Sequence, residues 1–165
     1  MRAPSLLSGQ LLRTAKERLS EPRRCTEADL RRATSDLYYA LFHRICEALV
    51  LPLGADPDNQ AFKETWTTVY RLPEHGLLVK RRKEMGGHAF SQDVKAFAQL
   101  VTALRTRRED ADYDPLAVFK ISDVRNDIAQ VDDLLTLFEA VDRAEQARFA
   151  WFVSLNRKGR GKETL

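Results

Sequence analysis

An arginine interrupts the apolar face of one predicted helix. Positions on that face recur at spacings of four and three: Phe90, Val94, Phe97, Val101, Leu104, Arg108 and Ala111. A guanidinium at a core position must find a carboxylate or leave the core, because an unpaired buried charge is very costly. Asp112 lies one turn beyond Arg108, and Tyr113 follows it. This spacing predicts either an ion pair that closes the helix end with a packed tyrosine, or an Arg/Asp/Tyr cluster that grips a phosphate through the planar donors of arginine.

A second group of polar residues lies on one side of an earlier helix. At about 100° per residue, Arg32, Asp36, Tyr39 and His43 fall within a narrow arc almost opposite the Leu37/Leu41 stripe, flanked by Ser35 and Cys46. One interpretation is a solvated face with an Arg32–Asp36 pair, which adds roughly a few tenths of a kcal/mol. The other is a second contact surface. The arc itself is equally compatible with both.

Positive charge collects at positions suited to phosphate contacts. The net charge is only +3, so a nucleic-acid partner is permitted but not required. The candidate nucleic-acid-binding residues are Tyr39, Arg32, Lys80, Arg81, Arg82, Lys83, Arg105 and Arg107. Contacts from these residues to phosphates would give an affinity that falls as salt rises.

Several other kinds of site are excluded by what the sequence lacks. Cys25 and Cys46 form neither a metal cluster nor a disulfide framework, and no His/Cys/Asp/Glu group has convincing ligand spacing, so we expect no metal and no cofactor. Gly86-Gly87 alone is a weak basis for a nucleotide-cradling loop. We see no signal peptide and no membrane-length apolar run, and therefore expect a cytoplasmic protein with no membrane partner.

Every periodic segment of the chain repeats at helical spacing, which predicts an all-α fold. With 44% hydrophobic and 31% charged residues, the composition is globular, and we expect one domain over residues 1–155 and a basic, flexible tail over 156–165. Thr26 is expected to cap the second helix, and Ser122 the last one. Residues 72–89 are expected to form irregular helices and loops. The predicted helices cover about 6–19, 27–51, 58–71, 90–111 and 122–141, the last reaching as far as Trp151 and Phe152.

Two runs of residues, 30–43 and 108–115, resemble motifs of the HEPN superfamily, the higher-eukaryote and prokaryote nucleotide-binding domains. Residues 30–43 are similar to the R-x-x-S-x-x-Y-Y-A-x-F-H run of its small stand-alone bacterial members. Residues 108–115 are similar to the R-x-x-A-D-Y-D-P motif of the same subgroup. A looser match covers residues 66–71, followed by His75-Gly76. Together the matches span residues 30 to 115 in the expected order.

The resemblance implies a four- to five-helix up-and-down bundle that pairs into a homodimer. Many members are metal-independent endoribonucleases of toxin–antitoxin or phage-defence systems, and others are non-catalytic partners of nucleotidyltransferases. The catalytic signature of the family is an arginine followed four to six residues later by a histidine. Three residue pairs could correspond to this signature: Arg82 with His88, Arg108 with Asp112, and Arg125 with Gln130. The first pair spans Gly86-Gly87, and the other two lack the histidine.

The leading hypothesis from the sequence is a domain that binds or acts on RNA. Its expected catalytic residues are Arg108, Asp112, Tyr113 and His43, with Tyr39 beside them near a dimer seam; His43 would supply the imidazole that the second motif lacks. The rival hypothesis is a non-catalytic interaction protein, such as a dimeric or antitoxin-type companion of a nucleotidyltransferase. In that case the same residues form a buried polar network.

Overall fold

A computed structural model describes residues 6–54 and 60–155 of the chain. Within these ranges it contains α-helices, two short 3-10 turns at Leu51–Leu53 and Met85–Gly87, and no strand, which confirms the all-α prediction. The α-helices are α1 (Leu7–Arg18), α2 (Glu27–Val50), α3 (Gln60–Tyr70), α4 (His75–Glu84), α5 (Gln92–Tyr113), α6 (Ile121–Ala140) and α7 (Arg143–Ser154).

The central element of the bundle is α2. It begins with a reciprocal capping box, in which the Thr26 hydroxyl accepts from the Asp29 amide and the Asp29 carboxylate accepts from the Thr26 amide. Sixteen of its 24 residues are buried, because it packs against α1, α3, α5, α6 and α7. A helix surrounded in this way has little solvated face. Most polar residues on α2 must therefore find partners within the protein.

Three phenylalanines join the C-terminal helices into one core. The Phe97 ring of α5 stacks on the Phe138 ring of α6 with centroids 4.2 Å apart. The Phe149 ring of α7 meets both edge-on, at 6.1 Å from Phe97 and 5.9 Å from Phe138. Offset and edge-to-face pairs of this kind add to the burial energy of the rings. This core fixes the position of α5, which carries Arg108.

The helix count differs from the predicted four to five. Residues 75–84 form a regular helix, α4, where irregular structure was expected. The predicted last helix is two helices, because Val141 takes an extended backbone (φ −63°, ψ 145°) and the Asp142 carboxylate then caps α7. The expected Ser122 cap is also wrong. The cap position of α6 is Lys120, and the Ser122 hydroxyl bonds the Asp123 carboxylate instead.

Two predictions fall outside the described residues. The expected start of the third helix next to Pro57 and the basic tail over 156–165 both lie there. None of the helices in residues 6–54 and 60–155 is long and apolar enough to cross a membrane.

Candidate functional site

Arg108 is held between α2 and its own helix. Its Nη2 donates a 2.7 Å hydrogen bond to the Tyr39 hydroxyl of α2. Its Nε lies 2.9 Å from Oδ2 of Asp112, one turn further along α5. The Arg108 side chain is 17% exposed and that of Asp112 is 22% exposed, so the ion pair sits at the edge of the core. The arginine on the apolar stripe is thus neutralised by the ion pair that the spacing predicts.

Asp112 in turn is anchored to the central helix. The Ser35 hydroxyl donates a 2.7 Å hydrogen bond to Asp112 Oδ1, while Oδ2 faces Arg108. Ser35 is buried, so this bond fixes the carboxylate against α2. Tyr39 and Ser35 thus both tie the C-terminal end of α5 to α2.

Three tyrosine rings surround the Arg108 guanidinium. Its carbon lies 5.9 Å from the ring centroid of Tyr38, 5.4 Å from that of Tyr39 and 5.7 Å from that of Tyr113. A cation this close to aromatic faces is attracted by their quadrupoles. The expectation of a packed tyrosine at the helix end is wrong for Tyr113, which is 74% exposed. Tyr113 therefore presents an aromatic surface to solvent beside the arginine.

A histidine that the sequence hypothesis did not place in the site lies beside this cluster. His75, the first residue of α4, has its Nδ1 hydrogen-bonded to the Tyr38 hydroxyl. Its ring stacks on Phe42 at 4.0 Å and meets the Tyr39 ring at 6.1 Å. Burial lowers the pKa of His75, and the positive charge of Arg108 lowers it further. The histidine is therefore within electrostatic reach of Arg108.

The second histidine of the cluster is His43, which the sequence placed in the site. Its Nδ1 is 2.8 Å from the Tyr70 hydroxyl of α3, and its ring is 6.3 Å from that of Tyr39. Tyr70 stacks on Trp66 at 4.9 Å, so α3 contributes an aromatic pair next to the histidine. Burial lowers the pKa of His43 as well. Both imidazoles are half-buried and favour the neutral form.

The Tyr38–His75 and Tyr70–His43 pairs have the same arrangement, a neutral tyrosine hydroxyl bonded to Nδ1 of a histidine. Burial raises the pKa of Tyr38 and of Tyr70, so neither hydroxyl ionises near neutral pH. Each hydroxyl engages Nδ1 of its histidine, which fixes the ring orientation and leaves Nε2 as the second functional atom. We name the set formed by Ser35, Tyr38, Tyr39, His43, Tyr70, His75, Arg108, Asp112 and Tyr113 the Arg108 cluster.

The polar arc predicted on α2 does not act as one surface. Asp36 pairs with Arg18 of α1 at 2.8 Å, so the expected Arg32–Asp36 pair is wrong. Arg32 is exposed, whereas Tyr39 and His43 face the Arg108 cluster. Cys46 is buried, and burial raises the pKa of its thiol to about 12, which makes it unreactive at neutral pH.

The predicted phosphate-binding residues are divided between free and engaged side chains. Arg81 is buried and donates 2.6 Å bonds to Glu84 and to the Leu155 carbonyl. Arg105 pairs with Glu109 at 2.8 Å, and Arg107 pairs with buried Asp127 at 2.7 Å. Arg82 is half-buried. The exposed members of the set are Lys80, Lys83 and Arg32.

The rival signature pairs lie apart from this cluster. Arg125 and Gln130 are both exposed on α6. His88 follows the turn after α4, and its ring lies 4.4 Å from that of Phe152 on α7. Arg108 is therefore the member of the three candidate arginines that lies among histidine and tyrosine side chains.

A second missed residue, Arg31, holds the loop that follows α5. Its guanidinium donates to the carbonyls of Ala111 (3.1 Å), Asp114 (2.9 Å) and Ala117 (2.6 Å). The loop thereby presents Leu116 and Val118 to solvent, 86% and 81% exposed. The sequence carries no signal for this role of Arg31, because its acceptors are backbone carbonyls, which every residue has.

The groups around Arg108 do not form a metal centre. Among the described residues, no group of three or more His, Cys, Asp and Glu side chains is placed to hold a metal ion. Beside Tyr113 an open groove of about 540 Å³ is lined by Glu109, Asp110, Asp114 and Pro115. Its three carboxylates make it unsuited to an anion.

Comparison with known proteins gives no family for this chain. No family model, no curated protein and no solved structure matches it.

Proposed function

We propose that this chain binds RNA at the Arg108 cluster and cleaves it there without a metal ion. The observation that carries the proposal is that the Tyr39 ring adjoins the Arg108 guanidinium (5.4 Å) and two half-buried imidazoles, His75 (6.1 Å) and His43 (6.3 Å). An arginine and histidines in one site are the groups needed to stabilise phosphate charge and to move protons.

One imidazole can serve as both base and acid in this proposal. Cleavage by the ribose 2′-hydroxyl requires a base to take its proton and an acid to protonate the leaving 5′ oxygen. A neutral imidazole whose Nδ1 donates to its tyrosine has a lone pair on Nε2, which can take the 2′-hydroxyl proton. His75, the histidine whose pKa the charge of Arg108 affects, is that base; the imidazolium formed on it then gives the proton to the leaving 5′ oxygen and returns to the neutral form. Arg108 then neutralises the charge that develops on the phosphate.

Exposed groups around the cluster supply the binding surface. Tyr113 is 74% exposed and can stack on a base, an interaction that contributes about 1–3 kcal/mol in single-stranded complexes. The phosphates of that nucleotide must then lie away from the three carboxylates of the neighbouring groove. Lys80 and Lys83 are exposed residues of α4, the helix that begins with His75. They are the phosphate contacts of the proposal. Arg81 is excluded, because its guanidinium is already bonded within the protein.

The resemblance to HEPN domains supports the same proposal. Its two motifs fall on α2 and on the last turns of α5, the segments that meet at Arg108 and Tyr39. We extend the proposal to a HEPN-like up-and-down bundle that pairs into a homodimer in the cytoplasm and acts in a toxin–antitoxin or phage-defence setting. In this proposal the histidines lie on α2 (His43) and α4 (His75), whereas the arginine of the signature lies on α5 (Arg108).

The test is cleavage of a labelled single-stranded RNA in the presence of EDTA. We expect products that end in a 2′,3′-cyclic phosphate, as attack by the adjacent ribose hydroxyl requires. Arg108→Ala and His75→Gln should abolish cleavage. Arg108→Lys should rescue poorly, because an ammonium cannot reproduce the planar donor fork.

Matched controls separate the site from general damage. Arg125→Ala and His88→Gln alter the rival signature residues and should cleave like wild type. Melting temperature is measured for every variant, since Arg108 also pairs with Asp112 in the fold. Cleavage by a folded Arg108→Ala protein would exclude this site, and RNA binding without cleavage by wild type would exclude the catalytic part of the proposal.

A non-catalytic interaction protein is the second candidate, and one observation favours it. Leu116 and Val118 are almost fully exposed on a loop that Arg31 holds in place. A fixed loop with exposed apolar side chains is typical of protein contact sites. In this case the partner is a second copy of the chain or a nucleotidyltransferase. For a second copy as the partner, light scattering should give a mass near twice the 18.9 kDa of one chain, Leu116→Asp should lower it to one chain, and wild type should not cleave RNA.

A further inference from the structure

A cleft of about 590 Å³ lies between α2, the Leu51–Leu53 turn and the start of α7. It shares only α2 with the Arg108 cluster, and its volume is within the range of small-ligand sites, roughly 300–1,000 Å³. Charged or polar side chains enter it from Arg44, Gln146, Glu139 and Arg143. Its apolar walls are Leu6, Ala48, Leu51, Pro52, Ala144 and Ala147.

Arg44 is a buried cation with too few hydrogen-bond acceptors. Its side chain is 5% exposed, yet its Nε has no hydrogen-bond partner among the described residues. Nη2 donates a 2.9 Å bond to the amide oxygen of Gln146, which is a neutral acceptor. Nη1 lies 3.8 Å from the Glu47 carboxylate, too far for a hydrogen bond. A buried guanidinium in this state is costly unless an anion joins it.

Glu47 compensates the charge of Arg44 only weakly, because its carboxylate accepts hydrogen bonds from a residue of α1. The Ser8 amide donates to Glu47 Oε1 at 2.9 Å, and the Ser8 hydroxyl donates to Oε2 at 2.6 Å. Burial raises the pKa of Glu47, although the Ser8 bonds oppose the rise. The neighbour of Arg44 is thus occupied with another partner and has less tendency to ionise than a free glutamate.

We propose that this cleft binds a small monocarboxylate with an aliphatic chain. The carboxylate accepts hydrogen bonds from the Arg44 guanidinium, and the chain lies against Ala48, Leu51 and Ala147. Charge-assisted bonds to a guanidinium are roughly twice as strong as neutral ones. The site lies apart from the Arg108 cluster, so the inference goes beyond the proposed RNA function.

The charges at the cleft favour a singly charged ligand over a phosphate. Glu139 and Arg143 line it with opposite charges, and Glu47 lies behind Arg44. Arg44 and Arg143 face the carboxyl groups of Glu139 and Glu47, so the cleft has no excess of positive charge to hold a dianion. A monocarboxylate balances Arg44 alone, and the apolar walls bury its aliphatic chain.

The test is titration of the full chain with hexanoate, followed by calorimetry and by thermal denaturation. We expect saturable binding and a rising melting temperature with hexanoate, and no comparable effect of hexan-1-ol at equal concentration. Arg44→Gln should weaken hexanoate binding about tenfold or more, from the usual strength of a hydrogen bond to a charged group. Arg125→Gln, an exposed arginine of α6, is the matched control and should bind like wild type.

A second variant keeps the proposal falsifiable if Arg44→Gln fails to fold. Ala147→Phe fills the cleft from a half-exposed position and leaves Arg44 in place, so it should fold and lose hexanoate binding. Equal binding of hexanoate and hexan-1-ol would overturn the role of Arg44. Undiminished binding by Ala147→Phe, or no binding by wild type, would overturn the site.

Discussion

The hydrogen bond from Arg108 to the Tyr39 hydroxyl, 2.7 Å long, joins residues that are 69 positions apart. It fixes the end of α5 against the central helix, and it sets the guanidinium between the two tyrosine rings of α2. The Arg108 guanidinium thus stays charged at a position of the apolar stripe, because it lies at the edge of the core and has polar partners there. Removing this bond should therefore lower the stability of the fold and also change the position of the Arg108 guanidinium in the cluster.

Tyr39→Phe should destabilise the fold by about 1–3 kcal/mol, the usual cost of leaving a charged donor without its acceptor. Urea denaturation of the purified variant measures the free energy of unfolding. The control is Tyr113→Phe, because the Tyr113 ring also faces Arg108 but is 74% exposed. It should change stability by less than about 0.5 kcal/mol. Equal losses in the two variants would contradict the importance of the Tyr39 bond.

Asp112→Asn should strengthen RNA binding and steepen its salt dependence, provided that the proposed site is correct. The change keeps an acceptor for Ser35 but removes the charge that pairs with Arg108 at 2.9 Å. The guanidinium is then available to a phosphate, which should add about one phosphate contact to the slope of log affinity against log salt. Fluorescence anisotropy over a salt series measures that slope. Weaker binding by the folded variant would show that Asp112 positions Arg108 rather than competing for it.

Arg108→Gln should raise the pKa of His75 and leave that of His43 nearly unchanged. Burial lowers the pKa of both histidines, but the charge of Arg108 contributes only to His75. Removing a positive charge makes the imidazolium easier to form. Proton NMR titration of the two imidazoles in wild type and variant measures the difference, with His43 as the internal control. Equal changes at both histidines would mean that the substitution altered the fold rather than the field.

The same two histidines give a pH dependence of stability whose sign follows from their lowered pKa. In the unfolded chain each imidazole titrates with its ordinary pKa of 6.5, whereas the folded state binds the proton less readily. Unfolding therefore takes up protons, and this contribution to stability is lost as pH falls below about 6.5. In the His75→Gln variant, part of that loss should disappear from urea unfolding measured between pH 7 and pH 5.

Features determined by neighbours in sequence could be predicted. Thr26 and Asp29 are three residues apart, so their capping box is local, and the Arg108–Asp112 pair lies one helical turn apart. The end of the last predicted helix could not be placed, because Val141 continues the apolar stripe even though its backbone is extended. Asp142 was the available signal for a new helix start.

Contacts between distant segments could not be predicted. His75 reaches the cluster because the chain reverses after α3 and brings the start of α4 to Tyr38, which is 37 positions away. Arg31 contacts carbonyls about eighty positions along the chain, and backbone acceptors carry no residue-type signal. Asp36 finds Arg18 on α1 rather than Arg32 on its own helix. Each outcome depends on packing rather than on spacing.

Arg31→Ala should destabilise the fold by about 2 kcal/mol and increase amide exchange in the 113–118 loop. Its guanidinium holds the Asp114 and Ala117 carbonyls, and the net contribution of a hydrogen bond from a charged donor is roughly 1.5–3 kcal/mol. The control is Arg32→Ala, which changes the adjacent but exposed arginine and should leave both measurements unchanged. Hydrogen exchange by mass spectrometry and urea denaturation give the two readings. A loop that exchanges equally slowly in both variants would mean that it is held by other contacts.

The free energy of unfolding of Asp127→Asn, relative to that of wild type, should increase as pH rises from 4 to 7. Burial raises the pKa of Asp127 to about 6 from the ordinary aspartate value of 3.8, even though Arg107 opposes the rise. The folded state then binds a proton more tightly than the unfolded chain, so stability from this group is present at low pH and lost as pH rises through about 6. The pKa difference corresponds to roughly 3 kcal/mol, an upper bound for the change between wild type and variant over this range.

Asparagine still accepts the Arg107 bond at 2.7 Å, which keeps the packing comparable. Asp133→Asn, an exposed position on α6, is the control and should show no such trend. A stability difference for Asp127→Asn that stays constant from pH 4 to pH 7 would mean that its carboxyl ionises in the folded protein as it does in the unfolded chain.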